Sequence, residues 1–266
     1  MVDRVLVTGG AQRLGAELVR TFAAAGWEVW CHYQHSVQQA TALQSELRQA
    51  GGSVEIIQAD LSREDEVLGL VREVGQRAGH LRAVVNNASL FAPDTGPDFD
   101  PALARTMLEV NLIAPLMLGR ELARQVKQAA LADACVIHVL DQKVYNLNPD
   151  YFSYTASKLA LERMVSLQAQ ALAPAVRVCG VAPGLMYLSG PQDGANFERA
   201  SRINLLHKPI DPADVARTCL FLASTPSITG STLCVDNGQH LVPLERDVMF
   251  VVDDLFKEAE RAQRKV

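Results

Sequence analysis

The chain has 266 residues, enough for one large α/β domain or two small ones, and its 48% apolar content supplies a sizeable core. A net charge of −5 and a pI near 5.7 exclude the basic footprint of a nucleic-acid binder. No apolar run approaches the ~18 residues of a membrane span, the N-terminus lacks a signal-peptide pattern, and Cys31, Cys135, Cys179, Cys219 and Cys234, without a Cys-x-x-Cys pair, read as buried free thiols of a reducing cytosol rather than metal ligands.

In chain order, Arg4 to Thr8 reads as a short buried strand that runs at once into the loop Gly9-Gly10-Ala11-Gln12-Arg13-Leu14-Gly15 and a helix to Ala25, stopped by Gly26. Trp27 to Tyr33 is a second strand, Val37 to Ala50 a helix closed by Gly51-Gly52, and Val54 to Ala59 a third strand ending in Asp60-Leu61. A polar helix over 63–78 and a strand from Leu81 to Val85 follow, the strand running into Asn86-Asn87-Ala88. Pro101, behind an Asp100 cap, opens a long helix that contains Asn111 and Pro115. Ala134 to Leu140 is the fifth strand, Phe152 to Ala173 a helix, Val176 to Ala182 the sixth strand ending at Pro183-Gly184, Pro212 to Ala223 a helix, and Ser231 to Val235 the last strand. Residues 185–208 carry no clear periodicity. Strands alternating with helices and nearly continuous in apolar residues specify a parallel sheet covered on both faces, hence a single doubly wound α/β domain. Residues 242–266 read as an extension of that domain. Val248, Val252, Leu255 and Ala259 at helical spacing, widened by Met249, Phe250 and Phe256, predict a helix over 245–262 that packs on another subunit or across the substrate cleft.

In such sheets ligands bind beyond the carboxyl ends of the strands, and the unusual residues fall there: Gly9, His35, Asp60, Asn87, Asp141 and Pro183. Thr8-Gly9 with Gly15, after the first strand and opening a helix, lets backbone approach a phosphate at a helix N-terminus. Arg13 in the first turn opposes the helix dipole and makes sense opposite an anion. No Asp or Glu stands between Glu28 and Glu46 to accept a ribose hydroxyl, whereas Arg13, His35 and Ser36 suit a 2′-phosphate, so the cofactor is expected to be NADP(H). Tyr154 and Lys158 lie one helical turn apart on one face, a phenol beside an ammonium that favours its phenolate.

The motifs Thr8-Gly-Gly-Ala-Gln-Arg-Leu-Gly15, Asn86-Asn-Ala88, Asn111, Tyr154-x-x-x-Lys158 and Pro183-Gly184 resemble the short-chain dehydrogenase/reductase superfamily, over residues 4 to about 241. The resemblance implies a seven-stranded Rossmann fold in which Tyr154 donates a proton, Lys158 holds the nicotinamide ribose and lowers the tyrosine pKa, and Asn111 supports a proton relay. Its cofactor set would comprise Thr8, Gly9, Arg13, Leu14, Gly15, His35, Ser36, Asp60, Leu61, Asn87, Ala88, Ser89, Tyr154, Lys158, Pro183, Gly184 and Leu185. Arg13 in the glycine loop, the His32-Tyr33-x-x-Ser36 run, Asn87-Ala-Ser-x-Phe91 and Asp141 thirteen residues before the tyrosine resemble, more narrowly, the pteridine reductases and the similar bacterial dihydromonapterin reductases. That group implies a cytosolic homotetramer reducing a pterin, with Ser89, Phe91, Asp141 and Tyr154 at the substrate and Phe91 stacked on its ring. Asp141 suits it chemically: a carboxylate repels the alkoxide of carbonyl reduction, but serves a substrate that takes a proton on a ring nitrogen and offers N–H groups. A general carbonyl or quinone reductase, or an NADP-binding sensor without turnover, are the competing readings; intact Asn111, Tyr154 and Lys158 speak against the sensor. Asn237 departs from the glycine usual after the last strand, and residues 185–208 are expected to set the pterin side chain accepted.

Overall fold

The computed structural model describes residues 2–129, 133–252 and 255. Seven parallel strands form one sheet in the order β3-β2-β1-β4-β5-β6-β7. They are β1 (Arg4–Val7), β2 (Glu28–Tyr33), β3 (Ser53–Gln58), β4 (Ala83–Asn86), β5 (Ala134–Val139), β6 (Val176–Pro183) and β7 (Thr232–Val235). Their apolar runs are buried on both faces because helices cover both: α1 (Arg13–Ala24), α2 (Val37–Gln49) and α8 (Pro212–Ser224) pack over Val5, Val7, Val29 and Ile137, while α3 (Glu64–Ala78) and α5 (Ala114–Ala129) pack over Leu6, Val84 and Val136. The order reverses between β1 and β4, which opens a crevice at their carboxyl ends.

Local chemistry sets the helix ends. Asp100 accepts from the Ala102 N–H (2.8 Å) and Asp211 from the Ala213 N–H (2.9 Å), each with proline at the first helical position. The helix α1 differs: its N-cap Gln12 makes no side-chain cap and its first turn holds no acid, so its leading N–H groups face the crevice.

The helix expected to run unbroken from Pro101 is instead α4 (Pro101–Leu108), a π turn over Glu109–Ile113, and α5. Pro115 has no N–H to give the carbonyl of Asn111, one turn earlier, and the widened turn absorbs that gap where Asn111 must face inward. Pro101–Ala129 together is long and apolar enough to cross a membrane by length and composition, contrary to the sequence expectation; its Ala114, Leu118, Leu122 and Val126 pack on the sheet, as a core helix does. Within 185–208 a short helix, α7 (Gly194–Ala200), is capped by Asp193, whose carboxylate accepts from the Asn196 N–H (2.7 Å). Cys31, Cys135, Cys179 and Cys219 are buried, but Cys234 is exposed because β7 is an edge strand. Asn237 has φ +53°, a left-handed conformation asparagine tolerates, and its amide donates to the Lys208 carbonyl (3.0 Å), so the turn survives without glycine.

A directed polar chain crosses the buried side of the sheet toward the helix that carries the tyrosine, α6 (Phe152–Leu172). Asn86 Nδ2 meets His138 Nδ1 (3.2 Å), His138 Nε2 meets Gln168 Oε1 (2.9 Å), and Gln168 Nε2 donates to the Leu116 carbonyl (3.2 Å). Burial lowers the His138 pKa to about 4, so the ring is neutral and carries its proton on Nε2.

Candidate active site

One cleft of about 700 Å³ runs along the carboxyl ends of the strands. One end is lined by Gly9, Arg13, Leu14, Gly15, His35, Ser36, Asp60 and Leu61, the middle by Asn87, Ala88, Ser89, Pro183, Gly184 and Leu185, the other end by Phe91, Asp141, Tyr154 and Lys158. Thr8 and Asn111 are buried behind its wall. Thr8 Oγ1 accepts the N–H groups of Asn87 (2.9 Å) and Ala88 (3.0 Å), pinning the end of β4 to the end of β1.

The glycine loop is a cradle that side chains would fill. A Cβ on Gly15 would lie 1.9 Å from the Gly9 carbonyl oxygen, and Gly9 itself has φ +61° against Ala88. Loop and helix therefore meet backbone to backbone under the uncapped start of α1, an arrangement that fits the pyrophosphate of a dinucleotide. His32 builds this loop from below: its Nδ1 accepts from the Gly9 N–H (3.0 Å) and its Nε2–H donates to the Ala59 carbonyl (3.0 Å). Burial lowers its pKa to about 4, which keeps the ring neutral for both bonds. A polar residue inside an apolar strand was the available sequence signal for it.

Arg13 occupies φ +51°, a left-handed conformation that costs a non-glycine residue ~1–2 kcal/mol. Its guanidinium reaches the Leu188 carbonyl and lies over the Tyr187 ring at 5.2 Å, so it bridges the glycine loop and the segment after β6. At the same end, Gln12 Nε2 donates to Ser36 Oγ (3.1 Å).

At the far end, Tyr154 Oη donates to Asp141 Oδ2 at 2.8 Å, and Asp141 Oδ1 accepts the Lys143 N–H at 2.8 Å. Burial raises the Asp141 pKa, against the pull of these donors. Tyr154 is pushed well above the usual phenol value, first by burial and then by the Asp141 carboxylate. This corrects the expectation that Lys158 lowers it. The Lys158 ammonium donates to the Val139 carbonyl (2.8 Å) and lies 5.8 Å from the phenol ring centre, and burial brings its own pKa down to about 8. Burial thus disfavours the charged forms of both Asp141 and Tyr154, which makes the hydrogen-bonded pair a proton donor.

Asn111 orders the wall behind. Its Nδ2 donates to the Leu90 carbonyl (2.9 Å) and Ser157 Oγ (3.0 Å), and its Oδ1 accepts the Leu90 N–H (2.7 Å). It holds the Ser89–Phe91 loop against α6. Phe91 stacks on Tyr151 (4.2 Å between centres, 23° between planes) and meets Tyr154 edge-on at 4.7 Å, and as 38% of it stays exposed, it offers a flat apolar surface to the cleft.

The sequence reading missed Lys143, Asn148 and Asp247. Lys143 is 3% exposed, and its ammonium pairs with Asp247 (3.0 Å) and contacts the Asn148 amide oxygen. Asp247 belongs to the C-terminal segment, of which Leu244, Val248 and Met249 also line the cleft. The predicted C-terminal helix begins at Val248; Val248 and Val252 are buried against Ala200 of α7, while Phe256 and Ala259 lie outside the described residues. From 185–208, by contrast, only Leu185, Met186, Tyr187 and Ser189 reach the cleft.

A seven-stranded parallel sheet in this order, a glycine cradle at its switch point and a Tyr–Lys pair one turn apart at the cleft define a class. The chain belongs to the short-chain dehydrogenase/reductase family: the family model described as enoyl-(acyl carrier protein) reductase matches residues 9–240. Among named relatives, the dihydromonapterin reductase of Enterobacter sp. (strain 638) is 29% identical over 238 residues, covering 89% of this chain and 96% of that protein. Among solved structures, the FolM alternative dihydrofolate reductase 1 of Brucella canis, complexed with NADP, is similar with a TM-score of 0.85 and 37% identity over 90% of this chain and 94% of that one. The Brucella suis protein of the same name, also with NADP, gives a TM-score of 0.86 and 37% identity, covering 91% and 97%.

Proposed function

We propose that the protein reduces a 7,8-dihydropterin to the tetrahydro form with NADPH. It is an NADP-dependent oxidoreductase of the short-chain family. The observation that carries the finer reading is the 2.8 Å bond between Tyr154 Oη and Asp141 Oδ2 beside the open face of Phe91. When bound, the nicotinamide supplies a hydride. Gly9, Leu14, Gly15 and the start of α1 would hold the pyrophosphate, Arg13, His35 and Ser36 the 2′-phosphate, and Asp60 and Leu61 the adenine end. Asn87, Ala88, Ser89, Pro183, Gly184 and Leu185 would line the nicotinamide end, with Lys158 and Tyr154 on its ribose.

Reducing the C6=N5 bond requires one hydride at carbon and one proton at nitrogen. Tyr154 hands its proton to the ring nitrogen, and the Asp141 proton replaces it across their bond. Asp141 as carboxylate then accepts from the N–H groups of the ring. Lys158, positively charged near neutral pH, offsets the negative charge left on this pair. Phe91 supports the flat ring. A serine in place of Asp141 would serve a carbonyl better, which favours the pterin over the carbonyl or quinone reading. The free thiols and the family resemblance support a cytosolic homotetramer.

The test is NADPH oxidation with 7,8-dihydromonapterin, 7,8-dihydrofolate, a plain aldehyde and a quinone. The pterins should be turned over at least tenfold better than the carbonyls. Equal or better carbonyl rates would overturn the reading, and NADPH binding without any turnover would leave a sensor.

A further inference from the structure

The two sets of relatives carry names that differ in the substituent on the pterin: a short hydroxylated chain in one, a p-aminobenzoyl-glutamate in the other. The structure bears on that difference, given the reading above. In a 7,8-dihydropterin the substituent sits on C6, the carbon that receives the hydride, next to the nitrogen that is protonated. It must therefore leave the ring beside Tyr154 and Asp141. Lys143 is two residues beyond Asp141 and bonds it through its own N–H (2.8 Å). Its buried ammonium, with Asn148 and Asp247, lines the cleft at that point.

We infer that Lys143, Asn148 and Asp247 form the subsite for the C6 substituent, and that this subsite selects a short, uncharged, hydroxylated chain over an aryl-glutamate. An ammonium has three N–H donors. Asp247 (3.0 Å) and Asn148 take two, the Tyr151 ring centre lies 5.7 Å away, and the third N–H has no polar acceptor among the described residues. Hydroxyls suit such a cluster because each can accept from the ammonium and donate to the carboxylate or amide oxygen. A glutamate tail can only accept, and would set a second anion against Asp247 with one lysine between them. An aryl ring would strip the ammonium of polar partners without replacing them. Leu244 and Met249, from the same C-terminal segment as Asp247, also line the cleft.

The test compares kcat/KM for 7,8-dihydromonapterin, 7,8-dihydrofolate and 6-methyl-7,8-dihydropterin, which lacks the hydroxyls. The native enzyme should favour dihydromonapterin over dihydrofolate. Lys143→Met should lower the ratio of dihydromonapterin to 6-methyldihydropterin by ~10-fold or more, the size expected when a buried donor loses its hydroxyl partner. Asp247→Asn, which keeps the shape but uncovers the lysine charge, should shift the dihydrofolate-to-dihydromonapterin ratio upward by ~10-fold. It also keeps the question open to test if Lys143→Met does not fold. Parallel losses on all three substrates, unchanged ratios, or a native preference for dihydrofolate would overturn the assignment while leaving a pterin reductase. Turnover of none of the three would overturn the pterin reading and the subsite with it.

Discussion

Replacing Asp141 by asparagine tests the proton donor most directly. The carboxylate accepts two donors, Tyr154 Oη at 2.8 Å and the Lys143 N–H at 2.8 Å, one on each oxygen. An amide of the same shape offers one oxygen, so one of the two donors must face an NH2 group. The lost hydrogen bond is worth about 0.5–1.5 kcal/mol, or roughly 2- to 13-fold. Removing the acid behind Tyr154 takes away general acid catalysis, itself worth about 10²–10⁴ in rate. Both act on the same proton and are not multiplied, so the larger sets an expected fall in dihydropterin kcat of roughly 10²–10⁴, with activated carbonyl substrates losing less than ~10-fold. The pH profile should change too. Burial raises the Asp141 pKa, and the donor works when protonated, so native kcat should decline as pH rises through that value; the variant should lack this limb. Stopped-flow NADPH oxidation across pH, on both substrate types, reads all of this. Parallel losses on pterin and carbonyl, or an alkaline limb that survives in the variant, would refute the assignment of Asp141 as the proton reservoir.

Tyr154→Phe should lower turnover by about 10²–10⁴ while fluorescence titration with NADPH still saturates, and near-native activity would mean the proton comes from elsewhere. Arg13→Gly removes a residue strained at φ +51° and should raise the NADPH dissociation constant ~10- to 100-fold with little change for NADH; equal losses would show that Arg13 does not meet the 2′-phosphate. His32 and His138 have pKa values of about 4 in the fold against ~6.5 unfolded, so the unfolded chain binds more protons between those values and stability falls on acidification. Each should cost on the order of 2 kcal/mol by pH ~5, readable as a urea midpoint lower than at pH 7, and unchanged midpoints would contradict the neutral-ring geometry. Truncation after Leu241 removes Asp247 and leaves the Lys143 charge buried without its carboxylate, so the melting temperature should drop and the dihydropterin KM rise ~10-fold; an unaltered enzyme would mean the segment is not part of the cleft.

Much of this architecture was readable because its causes are local. Strands such as Val176–Pro183 are continuous in apolar residues, Gly26 and Gly51 take the positive φ that ends a helix, and Tyr154 and Lys158 share a face by spacing alone. What escaped depends on neighbours distant in sequence. Lys143 and Asp247 are 104 residues apart, and a lysine in a loop reads as solvent-facing until packing buries it. The rise in the Tyr154 pKa comes from burial and from which group its hydroxyl meets, neither of which spacing reveals; Lys158 is near in sequence but spends its proton on Val139. The π turn at Glu109–Ile113 follows from Pro115, a signal present in the sequence but read only as a residue within the helix.

The chain of Asn86, His138 and Gln168 has a consequence for aim. Gln168 lies about four turns beyond Tyr154 on α6. That helix buries one face, but Ser153, Ser157, Lys158 and Gln168 on it are polar, so apolar packing alone does not dictate how it is rolled about its axis. Gln168 acts as a key in a slot: seated between the His138 ring and the Leu116 carbonyl, it indexes the roll of α6 from its far end, in a gap that exists because residue 119 is glycine. The bearing of the phenol at the cleft is therefore set from the far end of its own helix, by a histidine that does not line the cleft.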